Sequence, residues 1–169
     1  MTIVVVSGNP RPHSRTLHLA EEVGGALAAR LGLAAPRTVD VGDLGVRLLQ
    51  PGDGAVADAV AALRRASVLV VATPTYKGSY TGVLKVLLDQ LPAGGLQDIA
   101  AVTVVTAGVQ PQADAAQRNL RELLGELGAV PVEPGLAVIE GELANAGAAA
   151  AAYVDSIAAG FSTVATEAS

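Results

Sequence analysis

Short, unbroken β-branched runs alternate along this chain with longer stretches whose apolar residues recur at helical spacing. Strands covered on both faces, and the helices that cover them, give this pattern. Ile3 to Val6 is the first run. From Thr16 the apolar positions Leu17, Ala20, Leu27, Ala28 and Leu31 predict a helix that begins near Ser14 or Arg15, with Ser14 as its N-cap. Arg37 to Val41 predicts a second strand, followed by a Gly- and Pro-containing loop through Pro51 to Gly54. Val56 to Arg65 then reads as a helix, Val68 to Ala72 as a strand, Tyr80 to Leu91 as a helix and Ala100 to Thr106 as a strand. Ala113 to Leu127 sets Leu120, Leu123, Leu124 and Leu127 on one helix face. Leu136 to Ile139 predicts the last strand, and the alanine-rich stretch from Leu143 a terminal helix that frays after Phe161. Five strands separated by helices, without internal repeat or linker, predict a single-domain, doubly wound parallel sheet in a three-layer α/β/α sandwich.

In such sheets a ligand lies at the carboxyl ends of the strands, near the point where strand order reverses. Three segments leave those ends with distinctive chemistry: Ser7 to Thr16, Thr73 to Gly82, and Thr106 to Gln112. In the first, Gly8, Asn9, Pro10 and Pro12 break the strand, and free backbone N–H groups at the start of the helix face the loop. Ser7, Asn9, Ser14 and Thr16 add neutral donors, and Arg11 and Arg15 add charged forks suited to phosphate oxygens. The loop has neither the Gly-Lys-Ser/Thr ending of a Walker A turn nor the three glycines of a dinucleotide turn. A terminal monophosphate such as that of FMN fits it better. Taken alone, the loop is equally compatible with an ordinary capped turn and two solvated arginines. In the second segment Pro74 ends the strand, and Gly78 and Gly82 permit close backbone approach to a flat ligand.

Composition narrows the chemistry. The chain has 169 residues, 51% of them hydrophobic, which suits one well-buried domain. No apolar run reaches the roughly 18 residues of a membrane span, and the amino terminus lacks an export pattern, so a cytoplasmic location is expected. A net charge of -5 with dispersed arginines argues against a nucleic-acid surface. The absence of cysteine excludes disulfides, thiolate zinc sites and thiol redox chemistry. With His13 and His18 the only histidines, a histidine-rich metal site is not expected; His13 reads as a solvated loop residue or an anion contact, and His18 as surface.

Ser7-Gly8-Asn9-Pro10-Arg11 with Ser14 and Thr16, then Pro74-Thr75-Tyr76-Lys77-Gly78-Ser79-Tyr80-Thr81-Gly82 and Leu84-Lys85 to Pro92, resemble the NAD(P)H-dependent FMN reductases of flavodoxin-like fold. The likeness is greatest to the sulfonate-utilisation branch, whose members supply reduced flavin to a partner monooxygenase. The resemblance implies FMN phosphate binding by Asn9, Arg11, Ser14, Arg15 and Thr16, and ring contacts from Pro74, Thr75, Tyr76 and Lys77. Ser7, Thr106 and Gly108 complete the expected cofactor-binding set. Tyr80 matches a tyrosine that lies in the branch at a local widening of the helix, near the flavin and the subunit interface. Two positions depart from the family pattern. Asn9 stands where Ser is usual, and Thr106-Ala107-Gly108 replaces Thr-Gly-Gly, so a methyl at Ala107 is expected to limit positive φ and crowd the flavin edge.

The implied reaction is hydride transfer from NADPH or NADH to FMN, in which the flavin carries the chemistry and no catalytic acid, base or nucleophile is required. With Tyr76, Tyr80, Tyr153 and Phe161 its only aromatics, the chain cannot easily sandwich a flavin as a one-electron carrier would. Other readings are an FMN-containing quinone or azo reductase, and a noncatalytic flavin-binding electron carrier, against which the mild charge argues. Lys77 can serve a nicotinamide phosphate, a flavin carbonyl or only solvent. Val83, Leu84, Val86, Leu87, Leu88 and Leu91 make the helix around them apolar over most of its circumference, so a homodimer or homotetramer is expected to cover its outer side. A neighbouring helix of the same chain is the alternative cover.

Overall fold

The computed structural model describes the backbone through Glu167, and side chains through Ala158 and at Phe161. Its elements run β1 (Ile3–Ser7), α1 (Arg15–Leu31), β2 (Arg37–Asp40), α2 (Val41–Leu44), a 3-10 turn (Gly45–Leu49), α3 (Gly54–Arg65), β3 (Val68–Pro74) and α4 (Gly82–Leu88). β4 (Ala100–Ala107), α5 (Gln110–Glu126), β5 (Val130–Pro131), β6 (Leu136–Ile139), a second 3-10 turn (Glu140–Asn145) and α6 (Ala146–Glu167) follow. The fraying expected beyond Phe161 falls among residues whose side chains lie outside the described set.

The sheet has the order β2-β1-β3-β4-β5, with β6 also on β4, and every pair is parallel. Because side chains alternate along a strand, each buried strand feeds two cores. Val4 and Val6 of β1, with Leu69 and Val71 of β3, face the layer of α3, α4 and α5. Ile3 and Val5, with Val68 and Val70, face α1 and α6. These two cores are the interfaces of the expected three-layer sandwich. No described helix is long and apolar enough to cross a membrane.

Three stretches differ from the sequence expectation. The last strand is interrupted: Val130 and Pro131 pair with Ala100 and Ala101, and Leu136 to Ile139 pair with Val104 to Ala107. Across the gap, buried Thr103 Oγ1 donates to Gln117 Oε1 at 2.6 Å while Gln117 Nε2 donates to the Leu136 carbonyl at 2.7 Å. A side chain from α5 thus bridges β4 and the start of β6 across the gap. Secondly, the segment after β2 is helical, because Asp40 caps the Gly42 N–H and Leu48 is buried against the core. Thirdly, α4 spans only Gly82–Leu88, where a helix from Tyr80 to Leu91 was expected. Buried Thr81 takes the N-cap position and accepts from the Leu84 N–H at 3.2 Å. Beyond Leu88 the chain tightens into turns that still bury Leu91.

Tyr153 of α6 is 7% exposed, and its hydroxyl donates to the Pro134 carbonyl at 2.8 Å. Burial pushes its phenol pKa upward from the ordinary 10.0. A folded pKa above the unfolded one gives a contribution that is complete below pH 10.0 and is lost as the unfolded phenol ionises above it. Urea midpoints measured from pH about 9 to about 11.5 should therefore fall less steeply for Tyr153→Phe than for the parent chain. Parallel curves would remove this assignment.

Candidate functional site

The carboxyl ends of β1, β3 and β4 meet at one edge of the sheet, and the chain beyond each is fixed by hydrogen bonds. The Gly8 N–H donates to the Ala72 carbonyl at 2.8 Å, and Thr81 Oγ1 donates to the Gly8 carbonyl. A Cβ at Gly8 would lie 2.6 Å from Leu84 Cβ, so the first loop departs with its backbone against α4. Asn9 then folds the turn locally. Its Oδ1 accepts from the Arg11 N–H at 3.0 Å, and its Nδ2 donates to Thr16 Oγ1 at 3.3 Å. Thr16 Oγ1 in turn shares a buried hydrogen bond of 3.2 Å with Thr106 Oγ1, joining the first loop to the end of β4.

The far side of the loop is held by Asp40, which accepts from the N–H groups of His13 at 2.9 Å and Gly42 at 3.1 Å. His13 sits at φ 54°, and a Cβ at Gly42 would lie 2.5 Å from the Pro12 nitrogen. Glycine is required there because the two backbones touch. Ser14 caps α1 as expected, its Oγ accepting from the Leu17 N–H at 3.1 Å. The N–H groups of Arg15 and Thr16, first in the helix, have no intrahelical acceptor. No acidic residue occupies that first turn; Arg15 does. A cation at the positive end of a helix dipole is unfavourable unless an anion joins it.

The second loop is a hairpin that the sequence did not announce. Tyr76 and Ser79 exchange backbone hydrogen bonds of 2.9 and 3.2 Å around Lys77 and Gly78, both at positive φ (52° and 79°). That is the signature of a type I′ turn. The Thr75 N–H donates to the Thr106 carbonyl at 2.8 Å, and Asn119 of α5 donates to Ser79 Oγ at 3.1 Å, so the hairpin is tied at both ends. Tyr76 is left 43% exposed beside the first loop.

These segments enclose a cavity of about 360 Å³. Asn9, Arg11, Ser14, Arg15, Thr16, Pro74, Tyr76 and Thr106 line it, as do Pro12, His13, Glu140 and Leu143. The remaining predicted residues lie off it. Ser7 is fully buried in β1, on the face that carries Ile3 and Val5. Thr75 stands behind Pro74, Lys77 is at the exposed hairpin tip, and Gly108 follows β4 in the open. Tyr80 is half-buried against the α4-side core, ahead of the helix, so the widening expected around it is not present. Ala107 also differs from expectation. It is the last residue of β4, 2% exposed, paired with Ile139 and packed in the core, without positive φ. Its methyl contributes to packing and does not crowd the cavity.

Glu140 and Leu143 were missed because the segment after β6 was not counted among the strand ends. The signal was available, since β6 is parallel to β4 and ends beside it. A second cleft of about 410 Å³, lined by Met1, Ile3 and Ala62 among others, lies at the opposite, amino end of the strands. It lacks this donor set.

The donors in the cavity suit a phosphate: two helix N–H groups, several neutral side chains, and the guanidiniums of Arg11 and Arg15. Neither guanidinium has a carboxylate partner among the described residues, whereas Arg37, Arg47 and Arg121 pair with Asp58, Asp53 and Glu133. Two buried hydroxyls nearby, Ser7 Oγ and Thr75 Oγ1, have no hydrogen-bond partner.

Comparison with known proteins agrees with this geometry. The family model for NADPH-dependent FMN reductase matches residues 1–143. The chain is 31% identical over 150 residues to an NADH-dependent FMN reductase, SfnE, of Pseudomonas putida, covering 86% of this chain and 80% of that protein. It is 32% identical over 151 residues to an FMN reductase (NADPH) of Pseudomonas aeruginosa, covering 85% and 79%. Among solved structures, the apo form of an NADH:FMN oxidoreductase (EMOB) superposes with a TM-score of 0.78 at 32% identity, over 92% of this chain and 89% of that one.

Proposed function

The chain is thus a member of the NADPH-dependent FMN reductase family, and we propose that it uses NADH or NADPH to reduce FMN and releases the reduced flavin to a partner monooxygenase. The observation that carries this reading is the cavity at the carboxyl edge of the sheet that a phosphate-type donor set and Tyr76 line together.

When bound, FMN would supply the redox chemistry as a hydride acceptor. The protein's part is to bind and orient. Arg11 and Arg15 would hold the phosphate, the Arg15 and Thr16 N–H groups would add the helix dipole, and Asn9 and Thr16 keep the loop in shape through Thr106. Pro74 and Tyr76, which line the cavity, would border the ring, with Lys77 at the exposed hairpin tip next to them. Tyr76 is the one aromatic side chain lining the cavity among the described residues, so one ring face stays open for nicotinamide. Nothing in this scheme requires a proton-transfer residue.

Half-buried Val83 and Val86 of α4, with Tyr80 just ahead of the helix, are the surface we assign to a second copy in a homodimer or homotetramer. The reaction draws on reduced nicotinamide, so we take the cytoplasm as its compartment.

Purified protein mixed with FMN and either nicotinamide should oxidise the nicotinamide, read as loss of its reduced-form absorbance. Absence of turnover with both donors would refute the reading. A quinone reduced much faster than free FMN would move the assignment to a quinone reductase holding its flavin permanently.

A further inference from the structure

One carboxylate lines a cavity otherwise built for an anion. Glu140 opens the 3-10 turn that follows β6, immediately after Ile139, whose pairing with Ala107 fixes it beside the end of β4. Leu143, 8% exposed in the α6-side core, anchors the same turn. Glu140 therefore cannot swing away with a loose loop. Its side chain is exposed and has neither a hydrogen bond nor an ion pair among the described residues, although Arg11 and Arg15 line the same cavity. A structural salt bridge would explain a glutamate here, but none is made.

An unneutralised carboxylate facing a phosphate dianion repels it, and the repulsion acts only on flavins that carry the phosphate. We propose that Glu140 is a specificity-determining residue that weakens the cradle's hold on the flavin phosphate, so that FMN exchanges as a substrate instead of remaining as a resident group. The inference rests on reading the cradle as the FMN phosphate site. It accounts for two features together: guanidiniums that stay exposed and unpaired, and a negative charge that lines the same cavity. The balance sets a grip strong enough to select the phosphorylated flavin and weak enough to let it go.

Glu140→Gln keeps the shape of the side chain and removes its charge. FMN and riboflavin are titrated into both proteins by flavin fluorescence, with inorganic phosphate as competitor, and FMN release is followed by stopped flow. At low ionic strength Glu140→Gln should bind FMN about fivefold more tightly, chiefly through slower release, with riboflavin affinity unchanged. At about 0.5 M salt the gain should shrink, and Glu140→Asp should stay near the parent affinity. Unchanged FMN binding in Glu140→Gln would overturn the proposal, as would equal tightening of riboflavin. Weaker binding of both flavins would also overturn it, assigning Glu140 to a ribityl hydroxyl instead. Failure of the cradle reading has a separate signature: the parent protein itself would bind FMN no better than riboflavin, and phosphate would not compete.

Discussion

Replacing Arg11 and Arg15 together by alanine is expected to weaken FMN binding by roughly fiftyfold and to leave riboflavin binding within about twofold of the parent. A hydrogen bond to a charged group contributes about 1.5–3 kcal/mol, and both guanidiniums are exposed, so screening brings each just below that range, to about 1.2 kcal/mol. The apo protein should not suffer. Neither arginine has an ion-pair partner among the described residues, and Arg15 stands at the positive end of the α1 dipole, where a cation costs about 0.3–1 kcal/mol. Thermal unfolding of the double variant without flavin should therefore be unchanged or slightly later, while the stabilisation conferred by FMN is largely lost. Opposite signs for apo stability and ligand affinity separate a binding role from a structural one. Lysine at both positions should recover only part of the affinity, because an ammonium restores charge without the fork. FMN titrations that match the parent chain would return both arginines to the solvated surface.

The parts of this fold that read directly from the sequence are those set by local chemistry. β-Branched runs such as Ile3 to Val6 and Val68 to Val71 have few alternatives to a buried strand, and Ser14 ahead of an apolar periodicity marks a helix start. Parts decided by distant contacts were misjudged. Thr81 fits equally as a helix residue or as a cap, and only its bond to the Gly8 carbonyl, made once β1 and α4 come together, settles which. The interruption between β5 and β6 depends on Gln117 reaching Thr103 and Leu136 from another layer. At the site, the first-loop residues that line the cavity were legible because they form one contiguous segment. Glu140 was not, since it joins the cavity only through parallel pairing with β4. The hairpin at Lys77 and Gly78 also escaped, because lysine is not a residue that signals positive φ.

The first loop leaves the sheet through a position with no room for a side chain, so Gly8→Ala should destabilise the fold by about 2–3 kcal/mol. The added Cβ would meet Leu84 at 2.6 Å from its Cβ and 3.0 Å from its Cγ and Cδ2. Leu84 is fully buried and cannot turn outward. Nor can the loop withdraw freely, since the Gly8 N–H is bonded to Ala72 and its carbonyl to Thr81. The clash is relieved by moving α4 from β1, which breaks the Thr81 cap and shifts the hairpin that carries Tyr76. For a chain of this size each kcal/mol lowers the melting temperature by about 2–4 °C, so a drop of about 5–10 °C is expected, with weaker binding of FMN and riboflavin alike. Trimming Leu84 to alanine leaves its Cβ in place, so Gly8→Ala should stay destabilising on the Leu84→Ala background. Full recovery there would show that the flexible leucine tip limits the approach, and a Gly8→Ala protein as stable as its parent would disprove the contact between this loop and α4.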